Sequence, residues 1–168
     1  MLKRSTIGRK TVLAAGLGAL ALVFAVVMAL GGGWTEPEDG TGTRLDAGDA
    51  ELVADGRRIY REACASCHGA ELEGQADWQR RGPNGRLPAP PHDESGHTWH
   101  HPDAQLFLLT KLGPAALMND PAYPSDMPGF GDVLSDRDIV AVLSYIKSTW
   151  PAEIRSRHDE INARAAGN

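Results

Sequence analysis

The run Cys64-Ala65-Ser66-Cys67-His68 constrains the fold of this chain more than any other feature. A C-x-x-C-H pentapeptide is the attachment signal for a c-type haem, because its two thiols add to the two vinyl groups of the porphyrin and form thioethers. The two intervening residues let one helical turn present both sulfurs to one edge of the ring, and the following histidine can bind iron on the proximal side. The run therefore predicts thioethers at Cys64 and Cys67, iron ligation by His68, and electron transfer.

Other uses of paired cysteines fit this chain less well. A zinc site needs further cysteines or a well-spaced histidine pair, and the chain has only two cysteines. A thioredoxin-like dithiol needs a preceding strand, whereas residues 50–63 have the pattern of an amphipathic helix. A disulfide across so short a loop would contribute little stability. Haem attachment is favoured, provided that the chain reaches a compartment where haem is attached.

The N-terminus has the pattern of a membrane anchor. A basic patch in residues 1–10 precedes residues 11–30, which contain no charged side chain and are almost wholly apolar. Twenty residues in a helix span about 30 Å, the thickness of a bilayer core. A cleaved signal peptide has a shorter apolar region, although residues 27–29 loosely resemble a cleavage site. The positive flank predicts a cytoplasmic N-terminus, with the rest of the chain exported, in a bacterium to the periplasm.

Composition divides the remainder into a linker, a domain and a tail. The linker is rich in glycine and acids and poor in aliphatic residues, so it serves as a passive spacer, as a tether that lets a soluble domain swing, or as both. The predicted organisation is a cytoplasmic segment 1–10, a transmembrane anchor (or signal peptide) 11–30, a flexible linker 31–50, a haem domain 51–151 and a charged tail 152–168, continuing as a solvated helix.

The chain is acidic, with a formal net charge of −5 at pH 7. An acidic protein is a poor nucleic-acid binder, because phosphate binding depends on Lys and Arg. The charge favours partners that carry a basic docking patch.

Three amphipathic helices stand out, and the chain has few β-branched runs. The first spans about Ala50 to Cys64, and the second spans about Pro102 to Leu112 before Gly113. The third follows the N-cap Ser135 and ends before Pro151. Their apolar stripes predict an all-α fold with the haem in the core.

The second axial ligand of an electron-transfer haem is usually Met or His. Outside the anchor, the chain offers only Met118 and Met127. Met127 heads the run Met127-Pro128-Gly129-Phe130, in which proline stiffens the loop and glycine allows the backbone to pass close to the ring. Met118 lies in a polar turn with no such support, so Met127 is the predicted distal ligand.

These features together resemble a class I cytochrome c. More closely, the domain is similar to the membrane-attached monohaem cytochromes whose haem domain is akin to subunit III of cbb3-type oxidases. The resemblance covers residues 54–150, and the C-x-x-C-H run and the later M-P-x-F are its specific motifs. The resemblance also rests on four shorter motifs. They are Gly56-x-x-x-Tyr60, Gly69 directly after the haem motif, the proline-rich segment 87–91, and Tyr145-Ile146.

The resemblance implies a compact all-α fold around one covalently bound haem c, with crossed first and last helices. Gly56 would allow close approach to the last helix, and Tyr60 would pack near Tyr145. A carbonyl near Pro90 or Pro91 would accept a hydrogen bond from the proximal histidine, and the resemblance does not choose between them.

The connection 69–101 is longer than the simple pattern requires and contains His92, His97, His100 and His101. Histidines so close together could bind copper or zinc, but this is the minority interpretation. Otherwise His100 and His101 cap the helix that starts at Pro102, and His97 and Trp99 bind a haem propionate that the neighbouring arginines neutralise. A histidine from this group could also replace the distal methionine.

The leading functional hypothesis is a tethered one-electron carrier in the periplasm, at the bacterial inner membrane. It would take electrons from a quinol-oxidising complex and pass them to a terminal oxidase or reductase. The alternative is a haem-bearing subunit or accessory of a larger periplasmic oxidoreductase, and a weaker one is a haem sensor or metal-handling protein. The sequence contains no recognisable site for converting an organic substrate.

Overall fold

The computed structural model describes residues 42–167. All regular elements in this range are helices, and no strand occurs within it, as the all-α prediction requires. In chain order they are α1 (Ala50–Ile59), a π-helical turn (Tyr60–Cys64), α2 (Ala65–His68), a 3-10 turn (Thr98–His100), α3 (Asp103–Leu112), α4 (Pro114–Leu117), α5 (Asp136–Thr149) and α6 (Ala152–Ala166).

The predicted segments 1–10 and 11–30, and most of the linker, lie outside the described residues. Within residues 42–167, no helix combines the length and the apolar character that a bilayer crossing requires.

Local capping chemistry fixes where the two longest core helices begin. Asp49 caps α1 by accepting hydrogen bonds from the backbone N–H groups of Glu51 and Leu52, each at 3.0 Å. Ser135 caps α5 in a reciprocal arrangement with Asp138, whose carboxylate accepts the Ser135 N–H at 3.0 Å. The Ser135 hydroxyl also donates to this carboxylate at 2.6 Å, and this bond, followed by the one from the Ser135 N–H, lowers the pKa of Asp138. Both starts agree with the sequence prediction.

Helices α1 and α5 pack directly against each other at a glycine. A Cβ atom on Gly56 would lie 2.0 Å from the backbone oxygen of Ala141 and 2.8 Å from Cβ of Tyr145. Only a residue without a side chain permits this approach, and Gly56 is buried. One turn further on, the rings of Tyr60 and Tyr145 lie 5.6 Å apart. Both contacts that the family resemblance implies are therefore present.

The core is built mainly from α1, α3 and α5. The apolar stripe predicted for α5 is buried, and it consists of Ile139, Val142, Leu143 and Ile146. Trp150, just past the end of α5, is 1% exposed. The indole Nε1 of Trp150 donates a hydrogen bond of 2.7 Å to the carbonyl oxygen of His92. This contact ties the end of α5 to the long connection that precedes α3.

The C-terminal residues form α6, and one face of this helix is docked. His158 is fully buried, with its ring 5.1 Å from that of Trp150 and its Nε2 donating to the His101 carbonyl at 3.0 Å. Asn162 accepts the backbone N–H of Asp103 at 2.7 Å and donates to its carboxylate at 3.0 Å. The tail is therefore helical, as expected, but it is not solvated on all sides.

The end of the linker is also packed on the domain. Leu45 is 4% exposed, and its N–H donates to the Asp103 carboxylate at 2.9 Å. The N–H of Asp46 donates to the hydroxyl of Ser144 on α5 at 3.0 Å. The packed part of the chain therefore begins several residues before the predicted domain start at residue 51.

Docking of α6 should make stability depend on pH through His158. Burial lowers its pKa, and the opposing effect of the nearby Asp103 carboxylate is smaller. Because the folded-state pKa lies below that of the unfolded chain, protonation favours unfolding. The neutral form therefore contributes stability above about pH 6.5, and this contribution is lost as pH falls through the folded-state pKa. Urea unfolding at pH 7.5 and pH 5 should show that the wild type loses more unfolding free energy between these two pH values than His158→Gln does. Equal losses would contradict this account.

Candidate functional site

The C-x-x-C-H run begins in the widened turn at the end of α1 and continues through α2. Cys64 is half-buried against the core, Cys67 is exposed, and the two do not form a disulfide. Burial, reinforced by the nearby Cys67, raises the pKa of the Cys64 thiol to about 11. Both sulfurs lie within one helical turn, which is the arrangement that attachment to one edge of a porphyrin needs.

The imidazole of His68 is buried and oriented. The ring is 7% exposed, and its Nδ1 donates a hydrogen bond of 2.8 Å to the carbonyl oxygen of Pro90. This bond identifies Pro90, rather than Pro91, as the partner that the family resemblance left open. Burial lowers the pKa of His68, so the ring is neutral at pH 7. A neutral imidazole that donates through Nδ1 keeps Nε2 as a lone-pair donor, which is the form that binds metals.

Backbone hydrogen bonds join the segment after His68 to the proline-rich segment. Gly74 donates to the His68 carbonyl at 2.8 Å, and Gln75 donates to the Ala89 carbonyl at 2.9 Å. Gly74 has φ +67°, and a Cβ there would lie 2.4 Å from the nitrogen of Pro91. The Pro90 carbonyl is consequently held in place relative to the histidine that it orients.

Tyr60 connects α1 to the end of the motif. Its hydroxyl donates to the carbonyl oxygen of Gly69 at 2.9 Å, and the ring is fully buried. Burial raises the pKa of Tyr60 well above its ordinary value, so the hydroxyl remains a donor. This bond fixes the exit of the chain from α2.

His92 lies directly against His68, a placement that the sequence did not indicate. The two rings are stacked, with centroids 4.0 Å apart and planes 22° from parallel. Burial, followed by the neighbouring imidazoles of His68 and His97, lowers the pKa of His92 well below its ordinary value. The only sequence signal was its position two residues after Pro90.

Two of the remaining loop histidines, His97 and His100, pair with tryptophans, and His101 packs edge-on against His97 with ring centroids 5.4 Å apart. His97 stacks on Trp78 at 5.3 Å, and His100 lies 3.7 Å from Trp99 between ring centroids. The side chains of His100 and His101 do not cap α3, which has Pro102 at its N-cap position. Across residues 42–167, no three His, Cys, Asp or Glu side chains are grouped in a way that could hold a metal ion.

Met127 is half-buried in the loop between α4 and α5, and this loop is fixed to the end of α3. Phe130 donates to the carbonyl of Thr110 at 3.0 Å. A Cβ on Gly129 would lie 2.6 Å from the carbonyl oxygen of Leu112, so the loop backbone touches the helix. Met118, by contrast, is 61% exposed at the end of α4. The fixed loop favours Met127 over Met118 as a ligand.

An ion pair connects the loop of Met127 to the proline-rich segment. Arg86, four residues before Pro90, contacts the carboxylate of Asp126. The partner of the proximal histidine and the predicted distal ligand thus lie on loops that touch each other. The thiols Cys64 and Cys67, the imidazole His68 and the thioether Met127 are the donors that a c-type haem with His and Met ligation requires. The residues present fit this group.

A family model described as "Cytochrome c" matches residues 53–150, more than half of the chain. The matched range contains the C-x-x-C-H run, Pro90, the Met127 loop and α5, and it ends at Trp150, before α6. No curated protein and no solved structure matches the chain.

Proposed function

The chain belongs to the cytochrome c family, and on this premise we propose that it is a one-electron carrier with His68 and Met127 as the axial iron ligands. Membership of the family implies covalently bound haem c, which we assign to Cys64 and Cys67. The observation that most supports the ligand assignment is the buried, neutral His68 with its Nδ1 fixed on the Pro90 carbonyl. This bond prepares Nε2 for iron within the attachment motif itself.

Bound haem supplies an Fe(II)/Fe(III) couple that accepts and releases one electron. The contribution of the chain is to hold the ligands. The carbonyl of Pro90 fixes the tautomer of His68 and raises the basicity of its free nitrogen. The loop of Met127, bonded to the end of α3, would present a thioether, which raises the reduction potential relative to two histidine ligands. Ligands held in this way would suit a site that changes charge with little movement.

We further propose that the carrier is tethered to the bacterial inner membrane, with its haem domain in the periplasm. The apolar run 11–30 and its basic flank support this topology. The partners would be a quinol-oxidising complex and a terminal oxidase or reductase, met through short-lived contacts. Co-purification with one complex in mild detergent would favour the alternative role of a subunit, whereas a freely exchanging monomer would favour a carrier.

Addition of carbon monoxide to the reduced haem protein tests the carrier against a gas sensor. A carrier with both axial positions filled should keep its Soret spectrum unchanged over the first minutes, because Met127 must leave before the gas can bind. A rapid spectral shift would contradict the proposal and indicate an open or labile position. The Met127→Ala variant is the positive control, since its distal position offers no thioether and should respond at once.

A further inference from the structure

We propose that His92 is a positioning residue that fixes the plane of the His68 imidazole. This inference rests on the proposed role of His68 as an iron ligand. The hydrogen bond to Pro90 holds Nδ1 of His68 at 2.8 Å from the carbonyl oxygen, but a single hydrogen bond tolerates a range of ring orientations about the Cβ–Cγ bond. The ring of His92 lies flat against the face of His68, with centroids 4.0 Å apart. A flat neighbour on the face resists the rotation that the single hydrogen bond allows.

His92 can act in this way only if it is itself immobile, and three contacts hold it. Its Nδ1 is hydrogen bonded to the hydroxyl of Thr98 at 2.8 Å, and Thr98 is buried. Its backbone N–H donates to the carbonyl of Leu72 at 2.8 Å. Its carbonyl oxygen accepts the indole N–H of Trp150 at 2.7 Å. Ring, amide and carbonyl are therefore each fixed to a different part of the domain.

The ring of Tyr60 also lies next to His92, in an edge-to-face arrangement with the ring centroids 6.3 Å apart. Tyr60 also bonds the carbonyl of Gly69 at the end of the attachment motif. Hydrogen bonds therefore link the surroundings of the stacked pair to the end of the motif, through Tyr60, and to the buried indole of Trp150, through the His92 carbonyl. The contact joins two flat rings and needs no charge on either.

The orientation of an axial imidazole determines how the iron orbitals split, so it is visible in the electron paramagnetic resonance spectrum of the ferric protein. Groups that contact a metal ligand without touching the metal are known to set its orientation. His92→Leu keeps a side chain of similar bulk but removes the flat ring. His92→Phe restores a flat ring without the hydrogen bond to Thr98. The pair of variants therefore separates planar stacking from simple filling of space.

The test compares the largest g value of the ferric haem protein among these variants. His92→Leu should shift it from the wild-type value, and His92→Phe should bring it back towards that value. His100→Ala is the matched control, because the exposed ring of His100 lies against Trp99 at a tilt of 32°, so its removal should leave the spectrum unchanged. A wild-type g value in His92→Leu would overturn the inference, as would a His92→Phe spectrum that matches that of the leucine variant.

If His92→Leu does not mature, Thr98→Val provides a second test, because it removes the hydroxyl that holds the His92 ring. It should give a smaller shift in the same direction, and an unshifted spectrum would count against the inference. A wild-type protein without a low-spin His–Met spectrum would overturn the proposed function itself. A normal wild-type spectrum that is insensitive to position 92 would overturn the role of His92 alone.

Discussion

The Met127→Ala variant is expected to lose the near-infrared sulfur-to-iron band of the ferric protein. Its reduction potential should fall by a substantial part of the roughly 0.8 V range over which axial ligands set haem potentials. The reason is that the thioether stabilises the reduced iron relative to a harder ligand such as a second imidazole or water. Ferric near-infrared spectra and redox titration of the two proteins measure both effects. The haem should remain covalently attached, because Cys64 and Cys67 are unchanged.

Met118→Ala is the matched control for this prediction. Met118 is 61% exposed at the end of α4, so its truncation should leave both the band and the potential at wild-type values. The opposite pattern, with the band lost only in Met118→Ala, would show that the distal ligand is misassigned. If the wild-type protein itself lacks the band, no thioether binds the iron, and one of the loop histidines is the remaining candidate.

The Gly56→Ala variant is expected to lose about 3 kcal/mol of unfolding free energy or more, at the upper end of the cost of overpacking a core. The added Cβ would lie 2.0 Å from the backbone oxygen of Ala141. Because the obstructing atom belongs to the backbone of α5, no side-chain rotation can relieve the clash, and the two helices must separate. Urea unfolding of the haem protein measures the effect.

Helix propensity alone predicts the opposite sign, since alanine is favoured over glycine inside a helix by about 1 kcal/mol. The sign of the change in unfolding free energy therefore shows whether helix propensity or helix packing dominates at position 56. Arg57→Ala provides the control, because this neighbouring side chain on α1 is exposed and its removal should change stability by less than about 0.5 kcal/mol. A Gly56→Ala variant as stable as the wild type would show that α1 and α5 can move apart freely.

Much of the fold was predictable wherever a short sequence pattern is itself the physical cause of the local structure. Ser135 is a good N-cap residue ahead of an apolar stripe, and the structure starts α5 there; α1 begins at Ala50, as its apolar stripe predicted. Gly56 and Tyr60 predicted the packing of α1 on α5 through the family resemblance. The C-x-x-C-H run and the proline-rich segment identified His68 and the neighbourhood of its carbonyl partner. The choice of Pro90 over Pro91 needed the three-dimensional path of the loop.

The docked face of α6 was not predictable from hydrophobic periodicity. Its buried contact is made by polar side chains, His158 and Asn162, which are compatible with burial only because Asp103 and the His101 carbonyl pair with them. The position of His92 was hidden for a related reason. Residues 69–97 contain no regular helix or strand, so backbone hydrogen bonds such as that from His92 to Leu72 fix the path of the loop. Periodicity carries no information about such bonds.

An equilibrium redox titration of the purified haem protein, followed in its visible spectrum, tests the central claim most directly. The account predicts one fully reversible transition with a one-electron slope, at a potential in the range of His–Met cytochromes. Coincident oxidative and reductive curves would indicate that the ligands stay in place as the iron changes charge. A transition at the lower potential of bis-histidine haems, or curves that fail to coincide, would contradict the account, because His68 and Met127 could not then be ligands in both oxidation states.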